Sequence, residues 1–205
     1  MARRWLALLM LTLLSTVVSA QEAVHAPAVI HLASEDWEDY TAADGHGLAW
    51  DVLRKVFEPI GVKVEIRSVP YTRSIGLVQL KEVDALVGSY RDEAGQVLYP
   101  HWNFDSDHIY ALGLASNPPP TLATLGKYRL AWVRGYRYEN YLPNVKRYNQ
   151  IERRTGILPM LKQGRADYYI DALTEIEAVM RSAPDPAQYR YSHLVELPLY
   201  LGFAD

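Results

Sequence analysis

Short apolar strands alternate with helical stretches along this chain, and the alternation begins a second time after the prolines Pro118, Pro119 and Pro120. Val29 to Ala33 reads as a buried strand. Leu48 to Ile60 has helical spacing, with Leu48, Val52, Val56 and Ile60 in one apolar stripe and Leu53 and Phe57 beside it. Gly61 supplies the stop that glycine commonly gives a helix. Val62 to Val69 alternates as a strand, Pro70 and Tyr71 turn the chain, Thr72 to Lys81 is a second helix, and Val83 to Val87 a third strand. Ile109 to Ala115 reads as a long strand before the prolines stiffen the connection. The second series runs through a strand at Tyr128 to Val133, a turn and short helix at Gly135 to Leu142, and a strand at Val145 to Tyr148. A helix at Ile151 to Gln163, a strand at Asp167 to Ile170 and a helix at Leu173 to Arg181 complete it, and Tyr189 to Phe203 is extended again. Alternation of this kind builds a mainly parallel sheet covered by helices. Two such series joined by extended segments predict an α/β protein of two lobes with a cleft between them. Ligands of parallel α/β sheets lie beyond the C-terminal ends of the strands. The loops after each strand are therefore the expected binding surface.

The N-terminus carries a second signal. Arg3 and Arg4 precede an apolar run from Trp5 to Val18, and Val18-Ser19-Ala20 has the small residues that signal peptidase requires. The run is shorter than the roughly twenty residues that cross a bilayer, so a cleavable signal peptide over residues 1–20, cut after Ala20, is expected. Cysteine is absent, which excludes disulfides, thiol catalysis and zinc–thiolate centres. Stability must then come from the core alone, and a chain of this length buries roughly 70% of its unfolded surface. The formal charge of −3 becomes more negative without Arg3 and Arg4, which argues against nucleic acid or an anionic membrane as partner. Fifteen tyrosines stand against three phenylalanines. A tyrosine packs as an apolar ring while its hydroxyl seeks a partner, a combination suited to half-buried positions and cleft walls.

The order of elements resembles the family 3 extracellular solute-binding proteins of ABC importers, which have the two-lobed type II periplasmic binding fold. The similar stretches are Gly47-Leu48-Ala49-Trp50-Asp51-Val52-Leu53, Val62-Lys63-Val64-Glu65 on to Pro70-Tyr71-Thr72-Arg73, and Val83-Asp84-Ala85-Leu86-Val87-Gly88. In the second series they are Gly135-Tyr136-Arg137 and Leu161-Lys162-Gln163-Gly164-Arg165-Ala166-Asp167. The resemblance implies a first lobe over residues 21–113 with a return segment at 197–205, and a second lobe over 114–196. It also implies capture of a small polar solute, such as an amino acid or a related zwitterionic or cationic compound. Such a protein would work in the periplasm as a monomer, without a cofactor, and deliver its solute to an inner-membrane ABC permease. A sensory ligand-binding protein, or an enzyme on the same fold similar to cyclohexadienyl dehydratase, are the alternatives it leaves open.

Carried over by position, the resemblance places Trp37 and Tyr40 in the aromatic loop after the first strand and Tyr71 after the second. Arg73 sits at the start of the following helix. Gly88, Ser89 and Tyr90 follow the third strand, where backbone groups would meet the ligand. Gly135, Tyr136 and Arg137, with Tyr138, fall at a helix start, where free N–H groups hold anions. The arginine that clamps an amino-acid carboxylate in a two-pronged bond would fall near Glu93 in this chain, and the nearest arginine is Arg91. The acid that holds the ligand ammonium would fall at Ala172, and the nearest acid is Asp171.

Other constellations carry less. His101, Asp105, Asp107 and His108 mix hard and borderline metal ligands, but lack a tight two-histidine helical spacing, so no metal site is expected there. The basic run Arg147 to Arg154 reads as a solvated face. No nucleophile elbow, phosphate loop or metalloprotease helix occurs. If the chain is an enzyme, Glu35, Asp36, Glu38 and Asp39 are the carboxylates placed to act as acid and base.

Overall fold

A computed structural model describes residues 26–205; the segment read as a signal peptide, with its cut after Ala20, lies outside the described residues. The first series folds as β1 (Val29–Ser34), α1 (Leu48–Phe57), β2 (Lys63–Ser68), α2 (Tyr71–Gln79) and β3 (Ala85–Ser89). A short β4 (Val97–Leu98) and a long β5 (Asp105–Leu114) follow. The second series is β6 (Arg129–Val133), β7 (Arg147–Ile151), α3 (Ile157–Lys162), β8 (Tyr168–Ala172) and α4 (Leu173–Arg181), closed by β9 (Tyr189–Ala204).

The strands lie in the order β2-β1-β3-β9-β5-β8-β6-β7, with β4 also on β9. β1 is parallel to β2 and β3, and β6 is parallel to β7 and β8. The long β9 runs antiparallel to β5 from Tyr189 to Leu199, then to β3 and β4 from Tyr200 to Ala204. One strand thus passes from the sheet of the second lobe into that of the first. One apolar cluster reaches from Leu32, Trp50 and Leu86 through Ile109 and Leu199 to Trp132 and Tyr138. A second fills the space between β8, α3 and α4 with Ile157, Leu161, Tyr169 and Ile176.

Three local expectations are corrected. The α1 stripe of Leu48, Val56 and Ile60 faces outward, while Ala49, Trp50 and Leu53 are buried. Trp50 is the largest group on this helix, its indole N–H donates to the Ala42 carbonyl, and seating it turns Leu48 to the opposite side. The helix expected from Ile151 is a strand end, one 3-10 turn at Arg154–Gly156, and then α3. Gly135 to Tyr138 do not begin an α-helix: a single 3-10 turn covers Tyr138–Asn140, entered through Arg137 in the left-handed conformation at φ 50°. That turn is too short to offer the aligned N–H groups of an anion site.

Candidate functional site

The strand ends of both lobes converge on a cavity holding about 300 Å³ of space, part of it open to solvent. β1 delivers Glu35 and Trp37, the start of α2 delivers Tyr71, and β3 delivers Gly88, Tyr90 and Glu93. β5 contributes Asp107. The loop after β6 contributes Tyr136 and Tyr138, and the β8–α4 junction Asp171, Ala172 and Glu175. The wall is aromatic and acidic, with five carboxylates among these residues.

Glu93 is the centre of the first-lobe side. It is 2% exposed, and its Oε2 accepts from the Tyr71 hydroxyl, from the Tyr90 N–H at 3.0 Å and from the Ser89 hydroxyl at 3.2 Å. Its Oε1 is buried with no hydrogen-bond partner among the described residues. Tyr90 donates its hydroxyl to Asp107 Oδ2 at 2.7 Å. On the second-lobe side, Asp171 is 1% exposed and binds Arg154 Nε at 2.8 Å, with the Tyr169 hydroxyl on the same oxygen. Glu175 takes the same Arg154 Nε at 2.9 Å, and Arg154 also donates to the Tyr136 hydroxyl at 2.6 Å. Burial pushes the carboxyls of Glu93, Asp107 and Glu175 up to about 7, and raises that of Glu35 as well. Burial likewise raises the phenols of Tyr71, Tyr90, Tyr136 and Tyr138 far enough that they remain neutral donors.

The lobes touch across the cavity. Trp37 Nε1 donates to Thr174 Oγ1 at 2.7 Å, and the Tyr136 hydroxyl donates to Glu35. The Tyr71 and Tyr136 rings meet edge to face at 5.5 Å. Arg137 donates to the Glu93 carbonyl at 3.2 Å and Tyr141 to the Arg91 carbonyl at 3.1 Å. Gly135 has φ 99°, and a Cβ there would stand 2.7 Å from Thr72 Cγ2 on the other lobe.

Of the residues expected at the site, Trp37, Tyr71, Gly88, Tyr90, Tyr136 and Asp171 line the cavity. Tyr40 stands behind the wall: its ring packs 4.3 Å from that of Trp37 and its hydroxyl is held by Asp105 at 2.8 Å. Ser89 acts through Glu93, and Arg137 lies at the rim. Arg91 does not reach the cavity. Its guanidinium donates to the carbonyls of Pro100 at 2.6 Å and His101 at 3.2 Å and lies over the Tyr200 ring at 4.4 Å. Arg73 is exposed on the first turn of α2 and does not line the cavity. Of the four acids in the loop after β1, only Glu35 enters; Asp36 caps the Ala43 N–H and Glu38 pairs with Arg181.

Tyr138, expected for its N–H, brings its ring to the wall instead. Glu93, Asp107, Arg154 and Glu175 were not expected as site residues. Glu93 was legible as the residue in the place of a clamping arginine. The inward turn of Arg154 had no signal, because it closes a run whose other arginines, Arg147 and Arg153, are exposed. Asp107 faces the cavity while His108 faces away, so His101, Asp105, Asp107 and His108 do not gather.

No protein-family model matches this chain, and no curated protein matches it in sequence. Solved structures do. The substrate-binding protein of an amino acid ABC transporter is 19% identical, over 86% of this chain and 85% of its own, with a TM-score of 0.64. Holo ArgBP from T. maritima is 14% identical, over 87% and 83%, with a TM-score of 0.63. A histidine kinase sensor domain with similarity to periplasmic binding proteins is 18% identical, over 86% and 82%, with a TM-score of 0.70. The chain has the two-lobed type II periplasmic-binding-protein fold. Its cavity lies in the cleft between the lobes, and among the described residues no helix is long and apolar enough to cross a membrane.

Proposed function

We propose that the chain binds a small cationic solute in this cleft. The observation that carries the reading is the imbalance of charge around an aromatic pocket. Glu35, Glu93, Asp107, Asp171 and Glu175 surround it; Arg154 is already engaged by Asp171 and Glu175, and Arg137 stays at the rim on the Glu93 carbonyl. The unpartnered Glu93 Oε1 is an acceptor awaiting a donor. Tyr71, Tyr90, Tyr136 and Trp37 offer ring faces that attract a cation once water is excluded. An ordinary α-amino acid would find partners for its ammonium but no clamp for its carboxylate, because Arg91 is held outside. An amine, guanidinium or quaternary ammonium compound without a carboxylate fits better. Lobe closure would then present the solute to a membrane permease. Export by the N-terminal segment, cut after Ala20, would place this step in the periplasm.

The likeness to a kinase sensor domain supports a second reading, in which the same capture is reported to a membrane receptor. Neighbouring genes for a permease or for a kinase separate the two. The binding claim is tested by thermal-shift screening. Diamines, guanidinium compounds and quaternary amines are expected to raise the melting temperature with concentration, since a ligand of the native state must stabilise it. Acidic and neutral amino acids are expected to do less. Stabilisation by acidic amino acids alone contradicts the reading, and turnover of the ligand would favour the enzyme instead.

A further inference from the structure

We propose that His108, His193 and Glu196 form a divalent transition-metal site on β5 and β9, on the side facing away from the cleft. Along β5 the side chains alternate: Asp107 lines the cavity, and His108 is exposed on the other face. Glu196 stands directly opposite His108, and its Oε1 is 3.4 Å from His108 Nδ1. Regular alternation on β9 would put Leu194 beside them and send His193 inward. The register instead slips at this point, from Ile109 opposite Val195 to Tyr110 opposite His193. The bulge buries Leu194 in the core and turns His193 out beside His108, a re-aiming that bulges commonly perform. The two imidazole centroids are 6.2 Å apart, and one donor atom from each of the three residues lies within 4.8 Å of the others. The edge-on Tyr110 ring, 5.2 Å from His193, supports that imidazole from the side.

Two imidazoles, which are borderline donors, joined by one hard carboxylate suit zinc, copper(II) or nickel(II) rather than magnesium or calcium. Three protein ligands leave a tetrahedral zinc one position for water or an outside group. A metal here would tie together the two strands that join the lobes. The site is separate from the cation-binding cleft, so either reading can fail without the other.

The test is calorimetric titration of zinc chloride into the exported chain, made without a histidine tag, with reversal by a chelator. One zinc per chain is expected. His108→Ala and His193→Ala should each weaken binding by roughly tenfold or more, since even groups that only orient metal ligands carry 10–100-fold effects. His31→Ala, at an exposed histidine beside Glu65 and Asp84, should leave binding unchanged. All three replaced side chains are exposed, so the circular dichroism spectrum should be unchanged. Absence of zinc binding overturns the proposal. Binding that survives both histidine variants also overturns it, because the metal is then held elsewhere, for example by the carboxylates of the cleft.

Discussion

Glu93 stands where the resemblance would place a carboxylate-clamping arginine, and the proposal of a cationic solute turns on that reversal of charge. The cost of burying it has a measurable consequence. Its carboxyl titrates near the ordinary 4.5 when unfolded and at about 7 when folded; Asp107 moves from 3.8 to about 7. Between these values the folded chain holds more protons than the unfolded one, so the ligand-free protein loses stability as pH rises through this window. Between pH 5.5 and pH 8 the loss is on the order of 2 kcal/mol for each buried carboxyl. The melting temperature of the empty protein is expected to be higher at pH 5.5 than at pH 8, and Glu93→Gln should shrink the difference. Cation affinity should run the opposite way, rising with pH as the carboxyls ionise. A melting temperature that rises steadily from pH 5.5 to 8 would show that these groups are not buried as described.

The aromatic half of the site was legible in the sequence, because Trp37, Tyr71, Tyr90 and Tyr136 follow strands, where ligand loops belong. Of the acidic half, Asp171 and Glu35 were legible too, while Asp107 and Glu175 were not. Asp107 sits inside a strand among other polar residues, and Glu175 lies in the first turn of a helix, where an acid is ordinary. Only the fold turns both inward.

At the scale of elements, periodicity located nearly every strand and helix, because each carries its own alternation or stripe. The facing of α1 escaped it. Apolar residues lie on two sides of that helix, and only the room for Trp50 decides between them. The turn after β6 escaped it too, since a glycine-led turn and a helix start look alike in sequence. Gly135 matters there for a tertiary reason: it lets the turn pass Thr72 across the cleft. Gly135→Ala should strain a backbone at φ 99° and place its Cβ against Thr72 Cγ2 whenever the lobes close. Ligand affinity is expected to fall about tenfold, with partial recovery in Gly135→Ala combined with Thr72→Ala. Equal affinity for Gly135→Ala and the parent would mean that the closed arrangement does not form on binding.

For the whole molecule, the strand β9 and the apolar cluster crossing the junction hold two lobes around one acidic pocket. Several contacts across the cleft, such as Arg181 with Glu38, are exposed and individually weak. Closure therefore depends on what the cavity contains, and a ligand can only shift it by binding the closed form better. Under the proposed function, a cation would do so by neutralising carboxyls whose mutual repulsion grows as the lobes approach. The most direct measurement is calorimetric titration at pH 8 of the parent chain and Glu93→Gln. The ligand is the best cation from the screen, with a neutral compound of the same shape as control. Binding of the cation but not the neutral compound, weakened about tenfold or more by Glu93→Gln, is the expected result. Equal binding of the two compounds, or a Glu93→Gln variant that binds the cation as tightly as the parent, would contradict the assignment of the cleft to a cationic solute.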